Sequence, residues 1–269
     1  MLPRASRFKP IYTQCSEPMK VSENLAETPS ELAAWPSRNR PVAPWWHTAI
    51  LVIIILGISA LSTLQSRTAG FGGSHYLRYG VTIAWEWVLA LLAWWGLRMG
   101  RTPVREILGT RRAGLKEWAR DFGIALLFWI MAILVLAAIA SLLRIAHLMH
   151  AQKAVVALAP QSIPQLLLWI ALCCTAGFVE EFVFRGYLLQ QFACIRGKLW
   201  IGVVLSSLLF GGAHGYEGIG AMIAITAYGI MFCFLAIYRR SLRAGMIAHA
   251  WHDSFTGVVI AIARHSHLV

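Results

Sequence analysis

Residues 163–191 read IPQLLLWIALCCTAGFVEEFVFRGYLLQQ, an apolar run that nevertheless holds Glu180, Glu181 and Arg185. A helix needs about 20 apolar residues to cross ~30 Å of hydrocarbon, and this run is long enough. An ionisable group at a bilayer centre costs about 2.5–3.5 kcal/mol on insertion scales. Such groups face a bundle interior or a wet cavity, pair with one another and mark function. Two later apolar runs have the same character. One ends Phe210-Gly211-Gly212-Ala213-His214, and the other contains His249-Ala250-Trp251-His252-Asp253.

Outward from this stretch the chain keeps one character. It is 58% hydrophobic and 13% charged, with a mean hydropathy of +0.62. Soluble domains have about 25% charged residues. Apolar runs lie at about 46–64, 79–97, 122–143, 163–191, 199–215, 218–238 and 244–263. The expected fold class is therefore all-α, a polytopic transmembrane helix bundle of about seven spans with a polar site inside. Residues 1–44 are polar and mixed in charge and are expected to form a disordered tail. They contain no early apolar stretch of a signal peptide, so the first run would serve as an uncleaved anchor. The transmembrane domain would be 45–269, with its motif-bearing core at 163–263.

The net charge of +12 does not indicate nucleic-acid binding, because the basic residues lie between apolar runs. With seven spans, 18 Lys and Arg fall on one side and 5 on the other. The positive-inside rule then places the N-terminus in the cytosol of a multi-pass protein of the plasma (inner) membrane. Segment 101–120 mixes arginines with Val104, Ile107, Leu108, Leu115 and Trp118. It is expected to lie as a basic amphipathic helix on an anionic leaflet, the alternative being a charged loop. Trp45, Trp46, Trp94, Trp95, His47 and His75 are expected at the membrane–water interfaces. The five cysteines contain no CxxC pair and imply no disulfide framework.

Within the polar runs, Glu181 and Arg185 are four apart, share a helix face and read as an internal ion pair. Glu180 lies about 100° round the helix, which makes it the freer carboxylate and a candidate general base. His249 and Asp253 share a face, with His252 beside them. Such a set can ligate a metal or bind an oxyanion and its orienting partner. Glu86, between Trp85 and Trp87, is expected to pair within the bundle or border a wet cavity rather than serve as a site residue. Counting 1.5 Å per residue from the basic ends puts His249 and Asp253 roughly 9–15 Å deep, Glu180 roughly 18 Å and His214 roughly 24 Å. His214 is the one that fits convergence least well.

In order and spacing, Glu180-Glu181-xxx-Arg185, Phe210-xxx-His214 and His249-xxx-Asp253 resemble the three motifs of the CPBP family. That family includes type II CAAX prenyl endopeptidases and bacteriocin-processing or self-immunity proteins. The resemblance covers about residues 163–263 and implies an intramembrane endopeptidase acting on a membrane-associated peptide or protein, prenylated or not. It implies that Glu180 activates water with help from His214, that His249 and Asp253 stabilise the oxyanion, and that Glu181 and Arg185 support the site. Asp253 stands where the family has Asn or Asp. As an anion it is a poor oxyanion donor, and orienting His249 or binding a metal suits it better. If a metal takes part, zinc is acceptable, with Glu180, His214, His249 and Asp253 as the candidate ligands. The favoured mechanism requires none. Two other readings stay open: a proton- or ion-coupled transporter, and a non-catalytic immunity or scaffold protein.

Overall fold

Each apolar run folds as a helix, because in hydrocarbon every backbone N–H and C=O must be satisfied within its own segment. The computed structural model describes residues 40–68, 73–109, 114–149 and 153–265. Its elements are α1 (Trp45–Thr68), α2 (His75–Met99), α3 (Val104–Leu108), α4 (Leu115–Ile145), α5 (Lys153–Leu158) and α6 (Ile163–Glu180). A π-helical segment (Glu181–Leu188) continues α6 into α7 (Leu189–Ala193), and α8 (Leu199–Ala213), α9 (Ile219–Arg239) and α10 (Arg243–His265) follow. There is no strand among the described residues.

Five segments are long and apolar enough to cross a membrane: Trp45–Ser66, His75–Met99, Leu115–Ile145, Ile163–Ala193 and Ile219–Arg239. The apolar helix α8 is shorter, at 15 residues. A further long helix, α10, carries His249, His252 and Asp253. The chain is an integral membrane protein of the helical-bundle class.

The connections sort to two ends of the bundle. At one end the Val42 carbonyl accepts from Thr102 Oγ1 (2.9 Å), and Leu242 N donates to Leu108 O (3.2 Å). The stretch before α1, the α2–α4 link and the α9–α10 link therefore share that end. At the other end α5 is held by three neighbours. His75 Nε2 lies 3.1 Å from Ala157 O, Tyr79 donates to Leu158 O (2.5 Å) and Arg264 donates to Val156 O.

Three sequence expectations are corrected. Segment 101–120 is not one surface helix. It splits into the five-residue α3, ended by Gly109 in the left-handed region (φ 70°), and the first turns of α4. Ile107 of α3 is fully buried, and positions 110–113 lie outside the described residues. The tail expected over 1–44 falls outside the described residues as far as 39, but its last part is packed. Val42 and Ala43 are buried, and Ala43 exchanges two hydrogen bonds with Gln191 (3.1 and 3.0 Å). A buried backbone needs such partners, and a side-chain amide supplies both a donor and an acceptor. His47 does not face lipid or solvent as an interfacial side chain would: it is buried, with Nδ1 3.0 Å from the Tyr187 hydroxyl, which Thr48 also meets at 2.9 Å.

Helix α6 and α10 pack along their length, and Gly177 sets how closely they cross. A Cβ at Gly177 would stand 2.8 Å from Ala250 N and 2.9 Å from Met246 O, backbone atoms that cannot move aside. Gly177→Val is expected to force the helices apart and destabilise the protein by about 1–3 kcal/mol. Thermal unfolding in detergent checks this, and an unchanged midpoint would contradict so close a crossing.

Candidate active site

The site is built where the π-helical segment faces α9 and α10. Segment 181–188 is entirely buried, and π turns occur mostly at functional positions. Arg185 Nη1 donates to Glu181 Oε1 at 2.9 Å, with both side chains fully buried. The guanidinium lies between two rings, 4.2 Å from the Phe210 centroid and 4.9 Å from that of Phe232, and a second nitrogen donates to Gly229 O (3.4 Å). Aromatic faces and a carboxylate together compensate a charge removed from water.

Glu181 has a second bond. His249 Nδ1 donates to the same Oε1 at 3.1 Å. This fixes the imidazole so that Nε2 points at two further carboxylates, Glu180 Oε2 at 3.6 Å and Asp253 Oδ2 at 3.5 Å. The ring stacks on Phe232 (5.1 Å, 27°) and meets Phe210 edge-on (6.0 Å, 86°). Along the helix Glu180 lies about a quarter-turn from Glu181. In the fold the two adjacent carboxylates meet the two nitrogens of one ring. Glu180 Oε2 is buried and has no hydrogen-bond partner.

His214 caps α8. Its Nδ1 donates to Phe210 O at 2.9 Å, which leaves Nε2 as the outward nitrogen. Its ring lies 5.1 Å from Phe210, across which sits His249. His214 lies within electrostatic reach of Asp253 and Glu217. Depth counting suggested a mismatch because it assumed a common starting plane. Phe210 is about 17 Å along α8 and His249 about 9 Å along α10, at 1.5 Å per residue. Their rings nevertheless touch, so the two helices do not start level. Ser59 of α1 donates to Gly212 O (2.6 Å), which holds this helix end in place. Of the two glycines, Gly211 is the close approach: a Cβ there would stand 2.6 Å from Met222 O, whereas Gly212 has room.

Residues that sequence reasoning left outside the site also converge. Glu86 of α2 is buried and senses the charges of Glu180, His249 and Asp253. Glu217, in the turn beyond α8, senses His214 and Glu180, and burial pushes its carboxyl above the usual range while His214 opposes the shift. For Glu86 the signal was present, an acid in an apolar run. For Glu217 nothing in the spacing marked it. His252 packs its ring 4.9 Å from Tyr228, and its Nδ1 is buried without a partner. It makes no contact with the carboxylates around His249.

The metal alternative can be tested against this geometry. Among the described residues no group of three His, Cys, Asp or Glu is arranged to hold a metal ion. The bond from His249 Nδ1 to Glu181 leaves Nε2 facing Glu180 and Asp253, but with His214 these residues are not gathered as a ligand set among the described residues.

A helical membrane bundle with a buried Glu/His/Asp centre is an arrangement that intramembrane enzymes and carriers use. Residues 161–255 match the family model described as type II CAAX prenyl endopeptidase Rce1-like, the family to which the three motifs point. This segment, from just before α6 to Phe255 of α10, is the part of the chain that is similar to a type II CAAX prenyl endopeptidase, and it holds all three motifs. No curated protein and no solved structure matches the chain.

Proposed function

We propose that this chain is an intramembrane endopeptidase that hydrolyses a peptide bond of a membrane-associated peptide or protein. The observation that carries the reading is the arrangement round His249. One carboxylate (Glu181) holds Nδ1, while Glu180, with an unpartnered buried oxygen, stands beside Nε2. Glu180 takes the proton of a water as its oxygen bonds to the carbonyl carbon. His249, as the imidazolium, donates through Nε2 to the developing oxyanion, and Asp253 and Glu181 keep that ring oriented and charged. His214 presents Nε2 to the same water. The proton held by Glu180 then passes to the leaving amine nitrogen as the C–N bond breaks. The side with the Lys and Arg excess faces the cytosol, and substrate enters from the bilayer.

The test uses the full chain reconstituted in vesicles with tagged membrane peptides, prenylated and unprenylated, in ¹⁸O-labelled water. Cleavage that leaves label in the new carboxyl terminus is the expected result. Solute flux without cleavage would replace this reading by a carrier. His214→Ala is expected to lower kcat by about 10²-fold, the scale of one acid–base participant. An unchanged kcat would remove His214 from the reaction.

A further inference from the structure

A second buried carboxylate comes from α2, a helix outside the matched segment. Glu86 is only 8% exposed. It lies within electrostatic reach of Glu180, His249 and Asp253. Its helix abuts α6 just before the motif, where the Trp87 and Phe178 rings lie 5.9 Å apart. Both Glu86 Oε2 and Glu180 Oε2 are buried and lack a hydrogen-bond partner. A carboxylate oxygen buried in an apolar bundle is costly unless a donor reaches it. No protein donor reaches either oxygen. A water can supply both, because it has one hydrogen for each.

We propose that Glu86 is a further catalytic residue, which holds the attacking water jointly with Glu180 by accepting its second hydrogen bond. This rests on Glu180 acting as the base. With both hydrogens directed at carboxylates, one water lone pair is left for the carbonyl carbon and the other accepts from His214 Nε2–H. As the C–O bond forms, the O–H bond facing Glu180 breaks and its proton moves to Glu180. The O–H bond facing Glu86 stays intact and becomes the hydroxyl of the tetrahedral intermediate. When the C–N bond breaks, the proton on Glu180 goes to the amine, and a carboxylic acid and an amine leave. The other ionisable groups facing Glu86 are His249 and Asp253 on α10, and neither hydrogen-bonds it.

A purely structural Glu86 predicts the opposite of a catalytic one. Replacing a buried, unpartnered carboxylate by an apolar side chain of similar volume is neutral or stabilising and would leave turnover alone. The test is Glu86→Leu and Glu86→Gln in the full reconstituted chain, with Glu180→Gln alongside. For Glu86→Leu, kcat is expected to fall about 30-fold or more with KM within about 3-fold, since orientation of the reactant is lost rather than binding. Its thermal midpoint should not drop. Glu86→Gln, whose amide oxygen still accepts, should recover part of kcat. Parent-like turnover in Glu86→Leu, or no gain from Gln over Leu, would overturn the proposal. So would metal bound stoichiometrically in the parent and lost in Glu86→Leu, which would make the pair a cation site. If the Leu variant does not accumulate, Glu86→Ala is judged by the same kcat criterion. An active Glu180→Gln would instead overturn the base assignment, whereas an inactive Glu180→Gln with a fully active Glu86→Leu would overturn the role of Glu86 alone.

Discussion

Glu180→Gln is expected to lower peptide hydrolysis by about 10²–10⁴-fold, the range for losing a general base, while the protein still folds. Glutamine fills the same volume and can still accept a hydrogen bond, but it cannot take a proton from water. Stability should hold because the structural ion pair belongs to Glu181 and Arg185, and Glu180 has no hydrogen bond through its buried oxygen. Turnover on a cleavable membrane peptide, with thermal unfolding of the same preparation, separates the two effects. Retained turnover would remove Glu180 from the chemistry. A large fall in the unfolding midpoint would show that its role is structural.

Arg185→Met should destabilise the protein by about 3–5 kcal/mol, the range for breaking a buried pair by removing one partner. The variant leaves Glu181 fully buried with only the His249 Nδ1 bond, and removes a cation stacked between Phe210 and Phe232. Replacing both members together, as Glu181→Leu with Arg185→Met, should recover much of that loss, since an apolar pair avoids desolvating two charges. The double variant should nevertheless be impaired in turnover, because His249 loses the carboxylate that orients it. Unfolding midpoints for the single and double variants check the first statement and kcat checks the second. An Arg185→Met midpoint equal to the parent's would contradict the pair's role in the fold.

The polar groups were legible individually because hydrocarbon penalises each of them. Glu180, Glu181, Arg185, His214, His249 and Asp253 stand out in apolar runs for that reason. The four-residue spacing of Glu181 and Arg185 also indicates which acid meets the arginine, since one helical turn separates them. The bond from His249 to Glu181 was not legible. It joins residues 68 apart on helices that approach closely at Gly177. Glu86 was visible as a buried acid, but its neighbours depend on how α2 leans on α6. His214 looked too deep because counting along a helix measures length from its own start and not depth in a shared frame.

The sequence by itself determined the membrane class, the position of each long helix and the set of ionisable groups that must avoid lipid. These follow from local hydropathy and helical periodicity, which need no knowledge of neighbours. Only the tertiary structure decided that one imidazole sits among three carboxylates, that the motif helix widens into a π turn at Glu181, and that Glu86 and Glu217 join the cluster. It also decided that the basic 101–120 segment breaks at Gly109 rather than running as one surface helix. Each of these depends on how helices far apart in the chain cross and rotate against one another, a product of side-chain packing summed over the whole bundle.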